Sequence, residues 1–166
     1  MAAWAMTVTE TAAPVATTYR IVEGAIDGRQ DELLPLLAAH RDELATHKAL
    51  MRFAPDFGKH IDLQRKGLLF VLFAYHGERL IGYSSTIICP HLHYPDLLHA
   101  HNDLLFVARP HRKGRIGLAL INRTRDAARV RGAEFMTWHA KPRTALAALL
   151  PRLGCTLQDV IFGEEL

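Results

Sequence analysis

From His111 to Gly117 the sequence reads HRKGRIG, placing Arg112, Lys113 and Arg115 among glycines at 114 and 117, and it then turns apolar. This combination suits a bound anion. Glycine lets a phosphate approach the backbone, the first N–H groups of a following helix lack internal partners, and the helix dipole adds positive charge at that end. The spacing matches neither G-x-x-x-x-G-K-[ST] nor G-x-G-x-x-G, so a Walker A loop and a Rossmann loop are both excluded. A solvated helix face is the competing reading, because eight Arg/Lys and one acid, Asp126, lie between Arg109 and Arg131. A second cluster, His91, His93, His99 and His101, is spaced H-x-H-x5-H-x-H. Alternate residues of adjacent strands share a face, so two such pairs could bind zinc. Histidines of a pocket wall or of an exposed loop give the same spacing, and no metal is expected. Cys89, before Pro90, is either an acyl carrier or a packed strand end.

The elements that must position these residues belong to a chain of 166 residues, enough for one domain with a sizeable core. Its composition, 49% hydrophobic and 22% charged, is that of a globular protein rather than a disordered one. No apolar run approaches the roughly 18 residues of a membrane span. The start, MAAWAMTVTETAAPVATT, lacks the basic and continuously apolar parts of a secretory signal, so a leader over 1–18 and a cytoplasmic location are expected. Two cysteines in no C-x-x-C pair agree with a reducing compartment. The net charge of +3 is modest, but its concentration over 109–131 favours an anionic partner, either nucleic acid or the phosphates of a cofactor.

TYRIVEGAI reads as a first strand. Leu33, Leu37, His40 and Leu44 recur at helical spacing over Asp31 to Ala49, with Asp31 as N-cap and Pro35 in the first turn. A short helix is expected around His60 to Lys66. LLFVLFAY, the turn HGER and LIGYSSTIIC form a hairpin. PHLHYPDLLHAH is a loop or strand edge, and NDLLFVAR is a strand ended by Pro110. A helix follows from Ile116 to Arg131, burying Leu120, Ile121, Thr124 and Ala128 and closed by Gly132. AEFMTWHA is a strand, PRTALAALLPRLG a helix closed by Gly154, and CTLQDVIFGEEL one strand or a pair. The expectation is one α/β (α+β) domain over 19–166: a mixed, mostly antiparallel central sheet with helices on both faces.

With that order, the loop resembles the cofactor loop of the GCN5-related N-acetyltransferase family, R/Q-x-x-G-x-G/A after the fourth strand. Arg112 takes the first place and Gly117 the last, while Arg115 stands where the middle glycine is usual and Gly114 comes one position earlier. LLFV before the loop and LLPRLGC near the end fit the same pattern, and HLHY, HND and WHAK look like a phage or prophage subgroup. The resemblance implies acetyl-CoA as donor and an amine as acceptor. Its pyrophosphate would lie on Arg112, Lys113, Gly114, Arg115, Ile116, Gly117 and Leu118, and its pantetheine arm along Phe106 and Val107. The thioester would enter between the fourth and fifth strands, facing Asn102 and Asp103 on one side and Thr137 or His139 on the other.

Aminolysis needs a base for the amine, a donor to the oxyanion and a proton for the thiolate. The resemblance implies Asp103 as base, or as binder of a cationic substrate or backbone group, and a backbone N–H near Val107 as oxyanion donor. His139 is either a proton carrier or a structural histidine. Where the family has an acidic tyrosine this chain has Leu150, which leaves Tyr94 as substitute or as packing aromatic. The function expected is acetyl-CoA-dependent N-acetylation by direct attack in a ternary complex, compatible with a homodimer. The alternatives are a nucleic-acid-binding module using 109–131, which has no interleaved aromatics for stacking, and an inactive CoA- or partner-binding protein.

Overall fold

Leu69 to Tyr75 are seven consecutive buried residues, and a strand hidden on both faces must be covered on both. The computed structural model, which describes residues 18–165, shows how. The leader expected over 1–18 lies outside the described residues, apart from Thr18. The buried run forms most of β2 (Leu69–His76), and the other strands are β1 (Tyr19–Glu23), β3 (Arg79–His91), β4 (Tyr94–Val107) and β5 (Phe135–Trp138). They pair in chain order as one five-stranded sheet, antiparallel from β1 to β4 and parallel between β4 and β5. Val71, Phe73 and Tyr75 pack against Leu33 and Leu36 of α1 (Gln30–Leu44), with Phe57 and Ile61 of α2 (Phe57–Arg65) beside them. Leu72 and Ala74 pack the other way, against Ile116 and Leu120 of α3 (Ile116–Val130). The mixed, mostly antiparallel sheet with helices on both faces is therefore the observed fold.

Local signals place most boundaries. Gly77, at φ 58°, supplies the positive φ that the two-residue β2–β3 turn requires. The α3 stripe of Leu120, Ile121, Thr124 and Ala128 is buried, and Gly132 follows at φ 85°. After β5 come a short helix, α4 (Ala145–Leu149), and a 3₁₀ turn, Pro151–Leu153. Among the described residues no helix is long and apolar enough to cross a membrane.

Three expectations are corrected. Helix α1 starts at Gln30, so Asp31 lies in its first turn, Arg29 takes the cap without a side-chain bond, and Pro35 sits inside the helix. Of the loop or strand edge expected for the histidine-rich stretch, the loop is confined to Leu92 and His93, because β3 runs to His91 and β4 begins at Tyr94 and carries His99 and His101 within the sheet. The final segment forms no strand: 155–165 has no regular structure, and Leu157, Val160, Ile161 and Phe162 are exposed. Period-2 alternation would put Asp159 on the face of Leu157 and Ile161, and Gln158 on that of Val160 and Phe162. Neither face of such a strand could be buried cleanly.

One irregularity in β4 sets the geometry of the sheet beyond it. Ser85 pairs with Leu104 and Thr86 with Asn102, so Asp103 is an extra residue, a β-bulge. The bulge reverses which residues face α3. Ala100 packs with Ala128 on that side before it, and Leu105 and Val107 pack with Ile116 and Leu120 after it. Asn102, fully buried, braces this point: its Nδ2 lies 2.9 Å from Ser84 Oγ and 3.0 Å from both Ser85 O and Thr86 Oγ1. Thr124 Oγ1 of α3, 2.9 Å from Ser84 Oγ, joins the helix to the network.

On the α1 face, buried His40 places Nδ1 2.6 Å from the Tyr83 hydroxyl and stacks on Phe106 at 4.7 Å between ring centroids. Burial holds the His40 imidazole below its ordinary value; Glu43 opposes that shift and Arg112 reinforces it. Burial also pushes the Tyr83 phenol up, and the Asp103 charge adds to this.

Two measurements test this framework. Asn102→Ala removes the two N–H donors that Nδ2 shares among Ser84 Oγ, Ser85 O and Thr86 Oγ1 and strands these buried partners, so denaturant unfolding is expected to show a loss of about 2–4 kcal/mol. Because burial holds His40 of the folded state below the unfolded value near pH 6.5, the unfolded state binds more protons as pH falls below it. Stability is therefore expected to fall as pH drops from about 6.5 toward the folded-state value, with a slope of up to about 1.4 kcal/mol per pH unit from this residue. His40→Phe should flatten that slope in a pH series of unfolding curves.

Candidate active site

Strand β5 is short, and its end defines an opening. Its parallel register with β4 runs from His99↔Phe135 to Asn102↔Trp138, and the His139 N–H donates to Asn102 O at 3.0 Å. Beyond that bond β4 continues to Val107 with β3 on one side and, among the described residues, no strand on the β5 side. The Ala108 N–H donates to Ile81 O at 2.7 Å, which sets the antiparallel alternation. Phe106 therefore directs its backbone toward β3, while Leu105 and Val107 present theirs to the open edge. An extended ligand could pair there as another strand would.

At the mouth of this opening the bulge brings Asp103 to His139. Asp103 Oδ1 and His139 Nδ1 lie 3.7 Å apart, and both side chains are partly exposed. The His139 ring meets that of His101 edge-on, with centroids 4.0 Å apart. Thr137 Oγ1 lies 2.8 Å from His101 Nδ1 and 3.0 Å from His99 Nε2. Burial, helped by neighbouring His139, holds the His101 imidazole below its ordinary value, with Asp103 opposing. Burial and then His91 act in the same direction on His99. His101, Asp103 and His139 are also the group here whose donor atoms lie close enough together to consider a metal.

The glycine-containing loop closes the other end of the opening. After a 3₁₀ turn at Arg109–His111, Arg115 caps α3 without a side-chain bond. Among the described residues, no acceptor takes up the backbone N–H of Lys113, Gly114, Arg115, Ile116, Gly117 or Leu118. A methyl group built on Gly114 or Gly117 would meet no protein atom within 4 Å. These glycines thus relieve no crowding within the protein, and the space over six free amides fits a diphosphate.

Charge on the loop is divided. Arg112 is engaged elsewhere, with Nη1 2.6 Å from Glu43 Oε1, Nη2 2.9 Å from Glu43 Oε2 and Nε 2.6 Å from Val107 O. Arg109 Nε reaches the same carboxylate at 3.1 Å. The hydrogen bond from Arg112 holds the Glu43 carboxyl below the ordinary carboxylate range, with burial opposing and Arg109 assisting. Arg129 pairs with Asp126, Arg131 with Glu23, and Arg125 lies on Leu153 O and Cys155 Sγ. Among the described residues Lys113, Arg115 and Arg123 make no ion pair. Arg115 and Arg123 line a shallow cavity of about 290 Å³ between β1 and α3, with Tyr19 at its edge.

Of the residues singled out in the sequence, Asp103 and His139 come together at the opening, and the loop residues form one continuous amide surface. Asn102 lies fully buried beneath them, its amide nitrogen committed to Ser84, Ser85 and Thr86. Tyr94 stands at the far end of β4, 64% exposed, its ring 4.9 Å from that of His91. The rings of His91, His99 and His101 stand in succession between it and His139, so it does not reach Asp103. Leu150, in the place of the usual tyrosine, is buried. Sequence reasoning passed over Glu43, whose one signal is its place three residues after buried His40 on the same helix face.

Comparison with known proteins agrees with this fold. The profile of the acetyltransferase (GNAT) family matches residues 34–154. Among curated proteins no significant match was found. Among solved structures, an aminoglycoside acetyltransferase from an uncultured soil metagenomic sample aligns with TM-score 0.72 at 17% identity, covering 90% of this chain and 99% of its own. A GCN5-related N-acetyltransferase from Ralstonia eutropha aligns with TM-score 0.73 at 20% identity, over 89% and 99%. A ribosomal-protein-alanine N-acetyltransferase from Brucella melitensis aligns with TM-score 0.68 at 21% identity, over 90% and 99%. These structures share the mixed sheet with flanking helices, and the matched profile spans well over half of the sequence. The chain therefore belongs to the acetyltransferase (GNAT) family, whose enzymes draw the acetyl group from acetyl-CoA.

Proposed function

We propose that this protein is an N-acetyltransferase in which an amine, bound beside acetyl-CoA, attacks the acetyl group directly while Asp103 and His139 manage its proton. One observation carries the reading: the paired Asp103 and His139 stand where β4 and β5 part, at the end of an open strand edge that leads to six unclaimed amides. Acetyl-CoA, when bound, supplies an activated thioester. The amides from Lys113 to Leu118 hold its diphosphate, Lys113 and Arg115 add charge, and the backbone of Leu105 and Val107 holds its extended arm. The Val107 N–H, at the open edge, is the donor available to an acyl oxygen.

Asp103 serves two ends. Its carboxylate attracts a cationic amine to the mouth, and it can take the proton that such an amine must lose before attack. His139 Nδ1, 3.7 Å away, is placed to receive that proton or pass it to solvent. The paired state of Arg109, Arg112, Arg129 and Arg131 weakens the rival nucleic-acid reading, since half of the basic residues of 109–131 are already held by carboxylates. Buried Leu150 favours a second reading, a binder of acetyl-CoA without turnover, because a leucine supplies no proton to a departing thiolate.

Thermal unfolding with acetyl-CoA tests binding. At 100 times its Kd the ligand should add about 2.7 kcal/mol, raising Tm by about 5–10 °C. No shift at millimolar concentration would sink the proposal, and a shift without thiol release across a panel of amines would select the second reading. Gly117→Glu places a carboxylate on the amide surface in the first turn of α3. Stability should hold or rise by about 0.3–1 kcal/mol, while acetyl-CoA affinity falls at least about tenfold. Asp103→Asn should lower kcat/KM by a factor on the order of 10²–10⁴ with acetyl-CoA binding unchanged; intact turnover would remove Asp103 as base.

A further inference from the structure

Five imidazoles stand in file from the β3–β4 turn to the residue that follows β5. From His93 the ring centroids step 5.9 Å to His91, 5.6 Å to His99, 6.0 Å to His101 and 4.0 Å to His139. The inner end differs from the rest because a carboxylate joins it. One donor atom each from His101, Asp103 and His139 lies within 4.8 Å of the other two. Asp103 Oδ1 and His139 Nδ1, at 3.7 Å, face each other at a separation too long for a hydrogen bond. Two ligands at 2.0–2.2 Å from a tetrahedral ion stand about 3.4 Å apart, so this pair is already close to a chelating separation.

We propose that His101, Asp103 and His139 form a binding site for a divalent first-row transition ion, with zinc as the type case, on the acceptor side of the opening. The donor set, two imidazoles and a carboxylate, suits such an ion and leaves a fourth position open. The backbone holds the ligands in place. His101 lies on β4, His139 directly follows β5 with its N–H fixed to Asn102 O, and Asp103 is held by the bulge. The surroundings also supply an outer shell. Thr137 Oγ1 lies within hydrogen-bond distance of both His101 Nδ1 and His99 Nε2, yet a hydroxyl has a single proton to give. One consistent arrangement has His101 Nδ1–H donating to the threonine oxygen and the threonine O–H donating to His99. It leaves the His101 Nε2 lone pair free for the metal, the kind of second interaction that orients histidine ligands in metal sites. If the acetyltransferase reading holds, a bound ion withdraws Asp103 and His139 from proton handling and repels a cationic amine, so it acts as an inhibitor.

The test is titration of the untagged full-length chain with Co²⁺, followed by visible d–d absorption, with Zn²⁺ as competitor. One saturable equivalent, displaced by zinc, is expected. His101→Gln and His139→Gln should each weaken it by about 10–100-fold, Thr137→Val by about tenfold, and His93→Gln should leave it unchanged. Absence of saturable absorption in the unaltered chain would overturn the proposal. So would an affinity that survives His101→Gln but is lost in His93→Gln, which would put the ion on the hairpin tip. Thermal shift with acetyl-CoA on the same metal-free sample keeps the two readings apart: cobalt binding without an acetyl-CoA shift removes the transferase reading alone, and the reverse removes the metal site alone.

Discussion

The extra residue at Asp103 is the constraint on which the rest of the structure depends. Inserting one residue into a strand exchanges the faces of everything beyond it. Before the bulge β4 sends Ala100 and Asn102 toward α3; after it, Leu105 and Val107 take that side, and Phe106 packs beneath His40. A buried amide is a suitable brace for such a defect. Asn102 can satisfy hydroxyl and carbonyl acceptors that no longer meet a regular ladder, and Ser84 and Thr124 carry the brace into α3. The strand can then be irregular where the site needs it and remain firmly held.

Charge follows a similar economy. The segment from Arg109 to Arg131 is strongly basic in sequence, yet Glu43, Asp126 and Glu23 neutralise much of it. Glu43 has the largest effect, because one carboxylate at the end of α1 holds both Arg109 and Arg112 and so fastens the loop to the opposite face of the sheet. What remains unpaired near the free amides is Lys113 and Arg115. Positive potential is thereby concentrated at the α3 N-terminus, where the helix dipole already favours an anion. Arg115, where the family has glycine, also reaches the cavity beside β1, so its side chain is accommodated without filling the space above Gly114 and Gly117.

The elements that bury one clean stripe were legible from residue spacing. The buried face of α3, the doubly covered β2 and the glycines that end turns and helices all follow from periodicity and positive φ, which are local properties. The acidic and imidazole groups were legible as residue types only. Asn102 reads like Asp103 in sequence, two polar neighbours on one strand, but the bulge buries the first and exposes the second. Tyr94 and His139 both looked available, and register alone separates them, by most of the length of β4. The last segment misled because its apolar content suggests a strand, while its lack of a consistent face denies it a place in the sheet.

By itself, then, the sequence determined the order of elements as far as α4, the mixed sheet with helices on both faces and the glycine-containing loop that opens α3, since each is signalled by periodicity and turn residues close in the chain. Only the tertiary structure decided that His101 and Thr137 join Asp103 and His139, that Glu43 holds Arg112, and that β4 outruns β5 to leave an open edge. Those relations link residues 36 to 69 positions apart. They rest on strand register and on one inserted residue, which no local pattern encodes.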